Sequence, residues 1–473
     1  MNLTHKILDR SKLIKASLVP ILSVFIVSCE DFVEVDAPET SLIGESVFND
    51  DINANAAVAG IYSDMVGSAG TVFTNTENLH NLTGIAADEL VTFSSSEDEV
   101  QIASNELFPG NPNMSFLWNE CYKYIYSCNS IIEGVSGSTG ITDSLANQYE
   151  GEARFVRAWM YFNLVNFWGD VPLAITSDFQ VNASLSRSSV DIVYDQIVDD
   201  LETARELLSE EYLTFERVRP NRAVATALLA RVHLYRENWP EAESLASALI
   251  DDGRYVLEPD LNDVFSISSN EALWQLQSVV PGVGTYEGVR FILTFSPAFT
   301  GGVSLREDFV NSFEAGDNRA TQWIDTYTFF DGSTFDYPFK YQESLFSSIN
   351  VLPTQYSTVI RLAEMYLIRA EARAQQNNVT GAQDDLNAIR SRAGLPNTSA
   401  SDRSNLLLAV EQERKFELFT EYGHRWFDLN RTNRATAVLS PLKEGWQETD
   451  ALWPVPQLEF QRNPNLGDQN PGY

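Results

Sequence analysis

Apolar residues recur at three- and four-residue intervals over 46–66, 115–136, 147–167, 190–209, 221–251, 357–392 and 405–421, the period of helices with one buried face. Ser189 ahead of Val190 and Pro240 just inside a helix beginning at Trp239 mark two starts. Two segments match each other: Ala230 and Ala242 recur as Ala370 and Ala382, both displaced by 140 residues. Small residues where antiparallel helices cross, ringed by larger apolar ones, meet the packing requirement of a tetratricopeptide-like helix pair. An ordinary helical hairpin accommodates the same spacing. One such pair cannot bury its apolar face alone, so neighbours are expected to stack into a superhelix. The pattern therefore predicts a mainly α fold.

Residues 258–354 interrupt it. They are rich in Gly, Ser, Thr and aromatics, lack long helical periods, and contain β-favouring runs such as Ala272–Leu276. We read them as a variable insertion of loops and short strands within a single domain, 46–473, whose helical scaffold is 46–257 and 355–473. Loops on a rigid scaffold are where binding residues concentrate.

The N-terminus follows another pattern. His5, Lys6, Arg10, Lys12 and Lys15 precede an apolar run, Ala16–Val27, then Ser28 and Cys29. The run is shorter than the roughly 20 apolar residues of a membrane span, and a cysteine after a small residue is a lipobox arrangement. Residues 1–28 are thus expected to be a lipoprotein signal peptide and Cys29 the lipidated residue, with acyl chains supplying the membrane attachment. Glu30 and Asp31 resemble the signal that sends such lipoproteins to the outer leaflet of the outer membrane. Residues 29–45, acidic, aperiodic and carrying Pro38, suit a tether.

The chain of 473 residues has a formal charge of −34, which becomes −37 once residues 1–28, with four Lys/Arg and one Asp, are removed. Nucleic acid is excluded as a partner on this ground, because Lys and Arg neutralising phosphates dominate such binding. Cys121 and Cys128 lie seven residues apart in a helical segment, about 10 Å at ~1.5 Å per residue. A disulfide needs roughly 4.4–6.8 Å between Cα atoms, so both are read as core residues.

Read in order, the motifs resemble the SusD/RagB family of outer-membrane nutrient-binding lipoproteins. Ala57-Val58-Ala59-Gly60-Ile61-Tyr62, Ala87-Asp88-Glu89 and Gly151-Glu152-Ala153-Arg154-Phe155-Val156-Arg157-Ala158 carry the resemblance early, with Gly169-Asp170-Val171-Pro172-Leu173 after them. Arg361-Leu362-Ala363-Glu364, Arg392-Ala393-Gly394-Leu395, Glu413-Arg414, Glu421 to Leu429, and Leu452-Trp453-Pro454-Val455-Pro456 carry it later. The resemblance spans the mature chain and is weakest over 258–354. It implies an α-superhelix of tetratricopeptide-like pairs with an irregular binding face. It also implies a SusC-like TonB-dependent transporter as partner, over which the protein is hinged as a lid.

No catalytic or metal motif appears. His-Glu-x-x-His, paired Cys and Gly-x-Ser-x-Gly are absent, His80 is placed in a loop, and no cofactor or metal is expected. Gly282-x-Gly284-x-x-x-Gly288 lacks dinucleotide-loop spacing and reads as a flexible turn. A glycosidase carboxylate pair is defined by separation in space and stays open. Glu152, Glu364, Glu413, Glu417 and Glu421, beside Arg154, Arg157, Arg361, Arg414 and Arg425, are better explained as ion pairs between helices.

A pyranose offers a C–H face to flat aromatics and hydroxyls to polar rims. The candidates are Trp323 and Trp446, Tyr286, Tyr327, Phe330 and Tyr337 in the insertion or outside the motifs, and Phe73, Asn75, Asn78 and Asp88 in the 71–89 loop. The charge favours a neutral glycan, bound at the cell surface and passed to the transporter. Capture of peptides or another nutrient, a lipid-anchored glycoside hydrolase and a tetratricopeptide adaptor are the alternatives.

Overall fold

The computed structural model describes residues 47–67, 79–345 and 351–473. Cys29, the signal, the tether to residue 45, and Phe73, Asn75 and Asn78 lie outside the described residues. The expected helices are present as Asp51–Gly67, Pro112–Gly137, Asp143–Trp168, Val190–Leu207 and Arg403–Glu417. Their ends follow from local chemistry. The Asn111 side chain accepts from the Asn113 amide at 3.0 Å, with Pro112 filling a position whose amide needs no partner. Gly169, at φ +70°, turns the chain after Trp168. Cys121 and Cys128 are buried free thiols of the Pro112–Gly137 helix.

The repeat is explicit in the backbone. Helices Arg222–Tyr235 and Trp239–Asp251 recur as Leu362–Gln375 and Val379–Arg392. In the connecting turns Glu237 and Asn377, 140 residues apart, take positive φ of 57° and 61°. Asn238 and Asn378 then enter their second helices at φ/ψ of −85/73° and −82/73°. Ala230, Ala242, Ala370 and Ala382 are all sealed from solvent at the crossings. Trp239–Asp251 packs on Leu362–Gln375, and Arg231 crosses to Glu364 through two bonds of 2.6 and 2.7 Å.

One expectation is corrected at residue 357. Ser357–Arg361 is a strand, antiparallel to Ala272–Leu276, and the helix starts only at Leu362. Both strands are buried throughout, so neither shows the in-and-out alternation that separates strand from helix. β-Branched Thr358, Val359 and Ile360 favour the strand.

The 258–354 segment consists of short strands, loops and single helical turns, sewn into the scaffold. Besides the 272–276 ladder, Val303–Leu305 pairs with Leu90–Thr92, and Ile324–Thr328 forms a hairpin with Thr334–Pro338. The glycine run read as a flexible turn is instead a close contact. The Gly284 amide donates to the Ser344 carbonyl at 2.7 Å, and Gly288 lies in the helix Tyr286–Phe291 against the Glu343 backbone.

Candidate functional site

The motif carboxylates are ion-paired and buried, though often with partners distant in sequence. Arg219 grips Glu152 at 2.7 and 2.8 Å, while Arg157 holds Asp200 of the helix Val190–Leu207 at 2.6 and 2.9 Å. At the centre, Arg361 reaches Glu271 at 2.8 Å, Glu417 at 2.5 Å and Glu421 at 2.8 Å. Arg319 clamps Asp317 and also meets Glu413 at 2.7 Å. Burial pushes the Glu417 carboxyl up, but Arg392, Arg361 and Arg319 outweigh it and hold it well below the usual carboxylate range. Asp317, Arg319 and Lys340 come from the insertion and their partners largely from the scaffold, so the network fastens one to the other.

Several nominated binding residues belong to this packing and offer no face to a ligand. Trp323 is 1% exposed and donates from Nε1 to the Leu261 carbonyl at 2.9 Å. Tyr286 is buried, as is Tyr337, whose hydroxyl donates to Asp325 at 2.7 Å. Trp446 is buried beside Trp426, its indole N–H on Thr436 Oγ1 at 3.2 Å. Asp88 is held by Arg425 at 2.7 and 3.0 Å and by Lys415 at 3.0 Å. An aromatic ring or carboxylate gains most by burial in a core or in a complete ion pair, and each of these residues found that arrangement.

His80 stands in the helix Leu79–Ala86 rather than in a loop. Its Nδ1 accepts from the Tyr422 amide at 3.0 Å, and its Nε2 lies 3.2 Å from Glu287, which also accepts from the Ser357 hydroxyl. Ser357, Glu287 and His80 are all buried, so this grouping presents no nucleophile to a substrate.

Phe330 is different. It is 89% exposed at the tip of the 324–338 hairpin, and Tyr327 is half-buried on the same hairpin. Phe330 leans on the buried Phe329, with ring centres 4.0 Å apart. Phe329 in turn meets Phe295 at 5.5 Å and Phe299 at 5.3 Å. Phe295 and Phe299 are 48% and 70% exposed and 6.0 Å apart. Three open rings thus surround one buried ring.

Local sequence fixes the patch. Pro297 opens the turn Pro297–Thr300, and Gly301 closes it at φ +70°, so Phe295 and Phe299 stand four residues apart on one side. At the tip, Gly332 takes φ +90°, and Asp331 accepts from the Ser333 amide and hydroxyl at 2.9 and 2.7 Å. Those bonds hold the exposed Asp331 carboxyl below its ordinary range. Asp331 and Thr300 directly follow Phe330 and Phe299 in the chain, and Ser333 lies in the same turn as Asp331. Phe295, Phe299 and Phe329 were missed in the sequence; their signal is an i, i+4 phenylalanine pair and a Phe-Phe-Asp-Gly turn in an otherwise polar stretch. Among the described residues, no group of three or more His, Cys, Asp and Glu side chains is placed to hold a metal, and no helix is long and apolar enough to cross a membrane.

Two family models match the chain: one described as starch-binding and associating with the outer membrane, over residues 31–234, and the SusD family over residues 346–473. The SusD-like protein P25 of Formosa agariphila is 25% identical over 93% of this chain and 95% of its own. Among solved structures, a SusD-like carbohydrate binding protein from Bacteroides fragilis superposes with a TM-score of 0.77 at 20% identity, covering 89% of this chain and 99% of its own. The surface glycan-binding protein A of Bacteroides thetaiotaomicron gives 0.75 at 21% identity, covering 90% of this chain and 100% of that one. At these identities the solved structures establish the fold alone. With the family models, the chain belongs to the SusD/RagB family.

Proposed function

We propose that this protein is a non-catalytic surface lipoprotein, anchored through Cys29 in the outer membrane, that captures a neutral oligosaccharide and delivers it to a SusC-like TonB-dependent transporter. The observation that carries this reading is the patch of Phe295, Phe299 and Phe330 over Phe329. Exposed aromatic faces, with the polar Asp331 and Thr300 next to Phe330 and Phe299 in the chain, suit the C–H face and hydroxyls of a sugar ring. Family membership and the carbohydrate-binding names of two structural relatives support it. A formal charge of −34 disfavours polyanionic chains.

The test is isothermal titration of the protein lacking residues 1–29 against neutral and anionic glycans, with Phe330→Ala alongside. Binding to neutral glycans that weakens in the variant is expected. Binding to polyanionic chains alone ends the neutral-substrate reading, and no glycan binding ends the class.

Peptide capture is the second reading, favoured by one feature: all four rings are phenylalanine and carry no hydroxyl of their own for sugar contacts. Titration with apolar peptides separates the two.

A further inference from the structure

The helical scaffold contains a cavity of about 470 Å³ where the ends of Arg222–Tyr235 and Leu362–Gln375 meet the helices Arg403–Glu417 and His424–Arg431. None of its lining residues belongs to the phenylalanine patch. Most of its charges neutralise one another. Arg431 holds Glu371 through two bonds of 2.6 and 2.8 Å and reaches Asp428 at 2.8 Å. Arg414 reaches the other Asp428 oxygen at 2.6 Å, and Arg434 meets Glu411 at 3.0 Å. These three arginines face four lining carboxylates, so the lining carries one negative charge in excess. The fourth carboxylate is that of the exposed Glu237, which has no ion pair among the described residues.

The backbone adds to that sign. Tyr235, Gln375 and Arg431 are the last residues of three helices that end at this cavity, and each helix C-terminus presents the equivalent of about half a negative charge. Two helices also begin here, but acids offset their positive ends. Glu241 stands in the first turn of Trp239–Asp251, and Asp402 accepts from the Asn405 amide at 3.1 Å at the start of Arg403–Glu417. The rest of the wall is apolar: Trp239 and Leu407 are half-buried and Leu408 is exposed. The excess charge selects a cation, and the wall selects one with an apolar stem that can lie against an indole face. A bare metal ion would leave that wall unused.

We infer that this cavity is a second binding site, taking an alkylammonium ion whose charged head pairs with Glu237 while its methylenes pack on Trp239, Leu407 and Leu408. Glu237 is open to water, which suits an ammonium that keeps part of its strong hydration. A lysine side chain of a peptide and a free diamine share this chemistry.

The test titrates N-acetyl-lysine methylamide, 1,5-diaminopentane and the uncharged N-acetyl-norleucine methylamide into the protein lacking residues 1–29, at about 0.15 M salt to screen the general pull of a polyanion. Glu237→Gln and Ser404→Trp accompany the wild type, and Asp468→Asn removes a charge that does not line the cavity. Saturable binding of an amine is expected, with the uncharged probe about fivefold weaker. Glu237→Gln lowers amine affinity about fivefold, the upper range for an ion pair at an exposed position. Asp468→Asn leaves it unchanged. Ser404→Trp fills the cavity mouth from an exposed helix position and abolishes binding, and melting temperatures show that each variant is folded. Tighter binding of the lysine derivative assigns the site to a peptide side chain, and tighter binding of the diamine assigns it to a free amine. Failure of both amines to saturate, equal affinity for the uncharged probe, or an affinity in Glu237→Gln no lower than in Asp468→Asn overturns the assignment.

Discussion

The Lys340 ammonium stands 4.8 Å from the centre of the Trp323 indole and 3.9 Å from the Phe419 ring. The same nitrogen donates to the carbonyls of Glu417 and Phe419, both at 2.9 Å, and to Glu421 at 2.5 Å. A cation fixed by three acceptors thus covers the one tryptophan of the insertion that looked suited to a sugar, and Phe265 and Phe419 pack around it. Trp323 joins the insertion to the scaffold, while the open aromatic surface of the insertion is supplied by smaller rings.

Trp323 and Phe330 should therefore respond in opposite ways. Trp323→Ala empties a sealed site and is expected to cost about 3–5 kcal/mol of stability, read as a lower urea midpoint. Phe330→Ala should move that midpoint by no more than ~0.5 kcal/mol. It should weaken glycan binding by about 1–2 kcal/mol in titration. A glycan contact at Trp323 would require the reverse pattern.

Arg361 holds three carboxylates of distant origin, Glu271, Glu417 and Glu421. Arg361→Met leaves them buried with fewer cations, a change expected to cost about 3–5 kcal/mol near neutral pH. Glu417 and Glu421 titrate below their ordinary values, held there against burial chiefly by the neighbouring cations. Their stabilisation is present above the unfolded carboxylate range near 4.3 and is lost as pH falls through the depressed native values. The penalty of Arg361→Met should shrink in acid, when the stranded carboxylates are neutral. A penalty that is constant from pH 7 to acid would show that packing, not charge, sets it.

The contrast between these residues explains what could be read from sequence. Helix period depends on neighbours three and four positions away, so the long helices and the 140-residue echo of Ala230 and Ala242 were legible. That the motif carboxylates would be ion-paired was legible from their type. Their partners were not: Glu152 pairs with Arg219 across 67 positions instead of with Arg154 beside it. The strand Ser357–Arg361 was hidden because both of its faces are buried. Exposure of an aromatic in a loop depends on what the loop packs against, and Trp323, Tyr286 and Tyr337 carry no local mark of that. Phe329, only 5% exposed beside the exposed Phe330, makes the same point within two adjacent residues.

Glu89 gives a pH prediction of opposite sign to that of the network. Burial, reinforced by the neighbouring Asp88 charge, pushes its carboxyl up to about 8. The native state therefore retains a proton that the unfolded chain loses near 4.3. The contribution is fully present below that value and is lost as pH rises to about 8, on the order of 3–5 kcal/mol. Glu89→Gln keeps a neutral acceptor for the Thr420 amide, now 3.2 Å from Glu89 Oε2. Urea midpoints should nearly coincide at pH 5, with the variant ahead at pH 9. A gap of equal size at both would rule out titration of Glu89.

Gly288 offers a test in which local and tertiary effects disagree. It sits within the helix Tyr286–Phe291, where Gly→Ala normally stabilises by roughly 0.5–1 kcal/mol because the unfolded chain loses freedom. Here an alanine Cβ would collide with the carbonyl oxygen of Glu343. Neither side yields easily, since the Thr285 hydroxyl donates to the Glu343 carbonyl at 3.0 Å and accepts from the Gly288 amide at 3.1 Å. The neighbouring Gly284 amide is committed to Ser344. Gly288→Ala is therefore expected to destabilise by about 1–3 kcal/mol, the usual cost of overpacking. Gly253, at φ +74° with open space around its Cβ position, serves as the comparison in which any loss on substitution by alanine comes from backbone strain alone. A stabilising Gly288→Ala would mean that the segment bearing Tyr286 is free to move away from Glu343.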